Sequence, residues 1–164
     1  MKQATTTEDL ANYIPGYGID LEKTKEVLKT YTKTPFKYLD YSFYKDLTKE
    51  HLLLRDDWQD SMKEIRDFAD KLGLSFVQAH SAGGNPLRHD EHFAILLEST
   101  VRSIKACEIL GIKNLVVHSG YMIDLNKEEI FAEKLKFYQK LFPAMEETGV
   151  SVLVENGASA NLPG

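Results

Sequence analysis

The stretch "GIKNLVVH", residues 111–118, decides how this chain is read: a glycine leads into a short run of Ile, Leu and Val that stops abruptly on a histidine. The same pattern stands at residues 73–80, "GLSFVQAH", and at residues 149–156, "GVSVLVEN", each glycine 38 residues from the next. A helix-ending glycine, a β-rich run and then a polar residue together read as the junction of a repeated αβ unit. One period earlier, "PFKYLDYSF" carries Pro35 in the glycine's place and Asp40 as its polar residue. The short "QATTTE" near the start supplies the first strand.

Between these runs the apolar residues step at helical spacing. Trp58, Met62, Ile65, Ala69 and Leu72 fall on one face, with Asp56 or Asp57 to cap the start and Gly73 to end it. Phe93, Leu97, Val101, Ile104 and Cys107 form a second such face before Gly111. Phe131, Leu135, Tyr138, Phe142 and Met145 form a third before Gly149, behind a capping box of Asn126 and Glu129. A weaker helix covers about residues 20–31. The order is βα four times and then a fifth strand. Strands this apolar, alternating with helices, form a parallel sheet, either open and doubly wound or part of a closed (β/α)8 barrel. No glycine-rich phosphate fingerprint follows the first strand, and "SAGGNP" at residues 81–86 has neither GxGxxG spacing nor a Walker lysine, which weighs against a dinucleotide-binding sheet.

Composition narrows the class. The 164 residues suit one domain, 1–164, and 43% hydrophobic content with eight Phe and eight Tyr describes a chain that buries a core. A formal charge of -5 disfavours nucleic acid as a partner, since phosphate recognition calls for a basic surface. No run reaches the roughly 18 apolar residues of a membrane span, and "MKQATTTEDL" lacks the apolar core of a signal peptide, so the expected location is cytoplasmic. The single Cys107 forms no internal disulfide and falls on a helix face, where packing is its expected role.

Ligands of parallel α/β sheets bind at the carboxyl ends of the strands, and His80, His118 and Glu155 each stand at such an end. Imidazole and carboxylate together suit a divalent ion, and equally suit proton transfer beside a carbonyl or hydroxyl group. Asp40, at the end of its own strand, either orients a rim histidine or pairs with a lysine. His89 and His92, in the polar "RHDEH", read as loop or helix-start residues, and Trp58 reads as core.

At these residues the chain resembles a known family. "FVQAHS", "LVVHSG" and "VLVENG", with "FKYLDYSFY" upstream, resemble the xylose isomerase-like TIM barrels, which include sugar and sugar-phosphate isomerases and epimerases and endonuclease IV. The resemblance runs from about Thr5 to Asn156 and implies a partial (β/α)8 barrel. It implies that Glu155 ligates a divalent metal (Mn, Mg, Co or Zn) and serves as an acid/base, and that His118 and His80 are metal or substrate-side groups. Asn156 and Asp40 are then substrate-side residues. The implied reaction is isomerisation or epimerisation of a sugar, sugar phosphate or related polyol by proton abstraction next to a carbonyl, through an enediolate whose charge the metal stabilises.

The chain ends at "GASANLPG", just after the fifth strand, whereas such a barrel takes about 250 residues. The expectation is therefore an incomplete domain whose further metal ligands lie on later strands, with a homodimer as one way to complete the barrel. Two alternative functions stand beside the isomerase: an endonuclease IV-like abasic-site phosphodiesterase, and a non-catalytic half-barrel that self-associates.

Overall fold

The structure is a computed structural model and describes residues 3–43 and 48–155. Five strands, β1 (Ala4–Thr6), β2 (Tyr38–Ser42), β3 (Ser75–His80), β4 (Asn114–His118) and β5 (Ser151–Glu155), form one sheet in the order β1-β2-β3-β4-β5. Every pairing is parallel. A doubly wound sheet reverses its strand order at a switch point; here the order never reverses, as in a barrel that adds one strand at a time. The fold is α/β, a partial (β/α)8 barrel.

Six α-helices lie among the described residues: α1 (Glu8–Ala11), α2 (Leu21–Tyr31), α3 (Trp58–Lys71), α4 (Phe93–Leu110), α5 (Lys127–Gln139) and α6 (Phe142–Thr148). Their starts and stops follow local chemistry. Asp20 caps α2 by accepting from the backbone N–H of Glu22 at 2.8 Å and of Lys23 at 3.2 Å. Asn126 and Glu129 form the expected capping box at α5. Asp57 stands at the cap of α3 without capping it, because its carboxylate accepts from the Arg55 guanidinium at 2.9 and 2.8 Å. At the far end of α3, Gly73 takes a φ of +68°, and the N–H of Leu74 returns to the Ala69 carbonyl at 3.0 Å, closing the helix.

One core joins sheet and helices. Leu39, Tyr41, Phe76, Ala79, Leu115 and Val117 pack on Val27, Leu28, Met62, Ile65, Ala69, Ile104 and Cys107. Burying Met62 and Ile65 contributes about 1.5–3 kcal/mol each, and the α3 face falls where its periodicity predicts. The α4 face is broader than the sequence predicts. Its most buried positions include Leu96, Ser99, Thr100 and Ser103, while Phe93, Leu97 and Val101 are half-buried beside them. The three hydroxyls donate to carbonyls one turn back, at 2.9, 2.7 and 2.8 Å, so small polar side chains pack in the core fully satisfied.

The third predicted helix is two. Pro143, at the start of α6, has no N–H to bond to Gln139, and its ring crowds that carbonyl, so α5 stops at Gln139. The predicted face is not the buried one: Phe131, Leu135 and Phe142 are exposed and Tyr138 and Met145 half-buried, while Phe137, Leu141 and Ala144 are the buried residues.

Candidate functional site

Because all strands run the same way, their carboxyl ends meet at one rim. Register sets the heights: Ser42 pairs with His80, His80 with Val116, and His118 with Glu155. His118 and Glu155 are thus direct neighbours, and His80, level with Val116, sits beside them two residues deeper. Asn156 lies outside the described residues.

Which way His80 points depends on one irregularity. Phe76 belongs to the core beneath the helices, and simple alternation would put Gln78 and His80 on that same face. Between β2 and β3 the register instead slips, so that Leu39 pairs with Phe76 but Asp40 pairs with Gln78, leaving Val77 as the extra residue of a β-bulge. Beyond it Ala79 takes the core position, and Gln78 and His80 turn to the inner face with Asp40. A bulge re-aims side chains in this way because the side-chain period is two.

The rim holds two carboxylate–imidazole pairs. In the outer pair, His118 Nε2 lies 3.6 Å from Glu155 Oε2, with both side chains partly exposed. In the inner pair, His80 Nδ1 lies 3.0 Å from Oδ1 and 2.9 Å from Oδ2 of Asp40, and the Gln78 amide donates to that Oδ2 at 2.7 Å. The hydrogen bond that His80 donates to Asp40 raises the His80 pKa above its ordinary value; burial opposes this, and the charges of Asp40, Glu155 and Glu8 add to it. The two imidazole rings lie 6.2 Å apart at 75°.

Glu8, the first residue of α1 and two positions past β1, adds a carboxylate to the same field. Neither Glu8 nor Gln78 is among the candidates named from the sequence, though each has a signal there: Glu8 is the charged residue that closes "QATTTE", and Gln78 lies two residues before His80. The loops beyond β3 and β4 are tied together, Asn85 donating from its amide to the Tyr121 carbonyl at 2.7 Å.

The remaining titratable residues lie elsewhere. His89 pairs with Glu133 at 3.0 Å in an exposed position, and His92 stands exposed at the start of α4. Cys107 is buried and burial pushes its thiol pKa up, the opposite of what a nucleophile needs.

A divalent ion is tested here by spacing. Two donor atoms about 2.1 Å from one ion at a tetrahedral angle lie about 3.4 Å apart, close to the 3.6 Å between His118 and Glu155 and longer than a hydrogen bond. The donor types and spacing therefore fit two ligands of one ion. Among the described residues, no three His, Cys, Asp or Glu side chains gather into a fuller set.

The architecture is similar to that of solved structures of sugar epimerases. A D-tagatose 3-epimerase-like protein superposes with a TM-score of 0.66 at 17% identity, over 95% of this chain and 53% of its own. D-psicose 3-epimerase from Clostridium cellulolyticum, solved with D-tagatose, gives 0.62 at 13% identity, over 93% and 51%. The IolI protein, solved with a zinc atom, gives 0.57 at 16%, over 94% and 51%. The present chain thus spans about half the length of these structures. No curated protein matches the sequence. Residues 15–164 match the family described as the xylose isomerase-like TIM barrel, which agrees with the strand order and with the rim, and the chain belongs to that family.

Proposed function

We propose that the rim of this chain is part of the active site of a metal-dependent isomerase or epimerase acting on a sugar, sugar phosphate or related polyol. The observation that carries the reading is the pairing of His118 with Glu155 across adjacent strand ends, at a spacing that suits one shared ion. The family and the epimerase folds that superpose on the chain support it.

In this reading Glu155 and His118 hold a divalent ion, Mn, Mg, Co or Zn, with further ligands from outside the described residues. When bound, the ion supplies Lewis acidity to the substrate carbonyl oxygen. In the same reading Glu155 is the carboxylate that takes a proton from the carbon next to that carbonyl. His80 faces the same mouth and offers a nitrogen to a substrate hydroxyl or to the ion. Asn156 and Asp40 complete the proposed substrate-side set, Asp40 from behind His80. The endonuclease-like alternative uses the same donors but needs a basic surface for DNA, and the net charge of -5 disfavours it.

The proposal includes a homodimer as one way to complete the barrel: among the described residues β5 pairs only with β4, and its Leu153 and Val154, on opposite faces of the sheet, are 42% and 48% exposed. Native mass spectrometry tests it, and a strict monomer at working concentrations would exclude it.

The functional experiment is deuterium exchange at the carbon next to the carbonyl of D-tagatose or D-fructose in D₂O with Mn²⁺, followed by proton NMR. Exchange that is abolished by chelation and reduced about 10²–10⁴-fold by Glu155→Gln supports the reading. Exchange that survives Glu155→Gln with more than about a tenth of its rate would remove Glu155 from the chemistry.

A further inference from the structure

The two pairs on the rim differ in what their geometry demands. His118 and Glu155 stand at 3.6 Å with both side chains well exposed. His80 and Asp40 are in hydrogen-bond contact, and the Asp40 side chain is only 14% exposed. An ionised carboxylate can accept hydrogen bonds but has none to donate. With both Asp40 oxygens within 3.0 Å of Nδ1, Nδ1 must therefore carry a proton. Among the described residues Nε2 has no hydrogen-bond partner, and the partly exposed ring leaves that nitrogen for the mouth.

Asp40 is itself held. The Gln78 amide donates to Oδ2 at 2.7 Å, so the carboxylate is fixed from a neighbouring strand as well as by its own backbone. The bulge at Val77 makes this possible, since it sets Gln78 opposite Asp40 and turns Gln78 and His80 to the same face. Three residues on two strands thus form a chain, amide to carboxylate to imidazole, that ends at Nε2.

We infer that Asp40, clamped by Gln78, is a positioning residue that locks His80 in its Nδ1–H tautomer, so that Nε2 presents its lone pair to the mouth, where the ion of the isomerase reading would bind. The purpose of the lock rests on the isomerase reading above; the lock itself does not. Free histidine in water favours the opposite tautomer, with the proton on Nε2, so the arrangement selects a form the side chain would not choose alone. A histidine that ligates a metal characteristically gives its second ring N–H to a carboxylate or carbonyl, which is the role the geometry assigns to Asp40.

The test is long-range proton–nitrogen correlation NMR on the nitrogen-15-labelled chain without metal, above the histidine titration range, with the His80 signals assigned by their loss in His80→Asn. The expected result is Nδ1–H with a lone-pair Nε2 in the wild type, moving toward Nε2–H in Asp40→Ala and partly so in Gln78→Met. An Nε2–H signal in the wild type overturns the inference without any variant, so a poorly folding Asp40→Ala does not shelter it. An unchanged tautomer in a folded Asp40→Ala overturns it as well. Zn²⁺ titration by calorimetry then examines purpose: Asp40→Ala should weaken binding about 10- to 100-fold. Unchanged affinity in a variant whose tautomer has shifted overturns the metal-presenting role. A wild type that holds the tautomer but binds no Zn²⁺ overturns that role too and counts against the isomerase reading, while the lock stands.

Discussion

Replacing Tyr17 by phenylalanine removes one oxygen from a closed, buried hydrogen-bond ring that joins the ends of β1 and β2. The Tyr17 hydroxyl donates to the Ser42 carbonyl at 2.7 Å and lies 2.7 Å from the Thr7 hydroxyl, while the Ser42 N–H donates to Thr7 Oγ1 at 2.8 Å. The donors close in one direction only: Ser42 N–H to Thr7, Thr7 to Tyr17, Tyr17 to the Ser42 carbonyl. All three residues are buried. Tyr17→Phe leaves the aromatic ring in place but strands the buried Thr7 proton and removes the bond that the Ser42 carbonyl receives. An unsatisfied buried group costs about 1–3 kcal/mol, so the pair gives an expected loss of about 2–3 kcal/mol with allowance for local relaxation. At roughly 2–4 °C per kcal/mol for a chain of this size, the melting temperature falls by about 4–12 °C. Urea unfolding followed by circular dichroism measures the loss, with an unchanged m-value showing that the same transition is compared. Thr7→Val and the double variant complete the cycle, and the double should cost clearly less than the sum because both changes break one ring. A Tyr17→Phe loss below about 0.5 kcal/mol, or full additivity in the cycle, would refute this accounting.

Three further outcomes are expected. Gly111→Ala should destabilise by about 1–2 kcal/mol, and by more than Gly73→Ala: both positions have positive φ, but at Gly111 an added Cβ meets the Arg66 guanidinium that donates to the Leu110 carbonyl, whereas Gly73 faces open space; equal losses in denaturant melts would contradict it. His51 is buried, its Nδ1 accepts from the Leu53 N–H at 3.2 Å, and burial lowers its pKa. Its neutral form therefore contributes stability above the ordinary histidine value of about 6.5, and that contribution is lost as pH falls from there toward the folded value. His51→Asn, which keeps an acceptor but does not titrate, should flatten the fall in melting temperature over that acidic range, and an unaltered profile would exclude His51 as its source. Amides of β5 should exchange with D₂O faster than those of β3, because β5 pairs only with β4 among the described residues and has apolar side chains exposed on both faces; mass spectrometry of peptides covering residues 75–80 and 151–155 decides it.

Much of this molecule is legible in its sequence because much of it is set locally. The glycines at 73, 111 and 149 take the left-handed backbone that ends a helix, and Asp20 and Asn126 cap with their own side chains, so these boundaries depend on neighbours in the chain. The 38-residue period states the strand–helix alternation, and polar residues at three strand ends mark the rim. The α5–α6 break was legible too, in Pro143, but the apolar spacing on either side of it reads as one stripe. The aim of His80 was not legible. In "SFVQAH" strict alternation sends it to the same side as Phe76, and only the pairing of β3 with β2 absorbs Val77 in a bulge and turns the histidine to Asp40, 40 residues away. The 3.6 Å between His118 and Glu155 likewise follows from the register of two strands joined through α5 and α6. Residue type and helix termination are short-range matters of backbone strain and hydrogen bonding, and one sequence determines them by itself. Which side chains meet across a sheet depends on register, and register is decided only when separate segments pack on a common core.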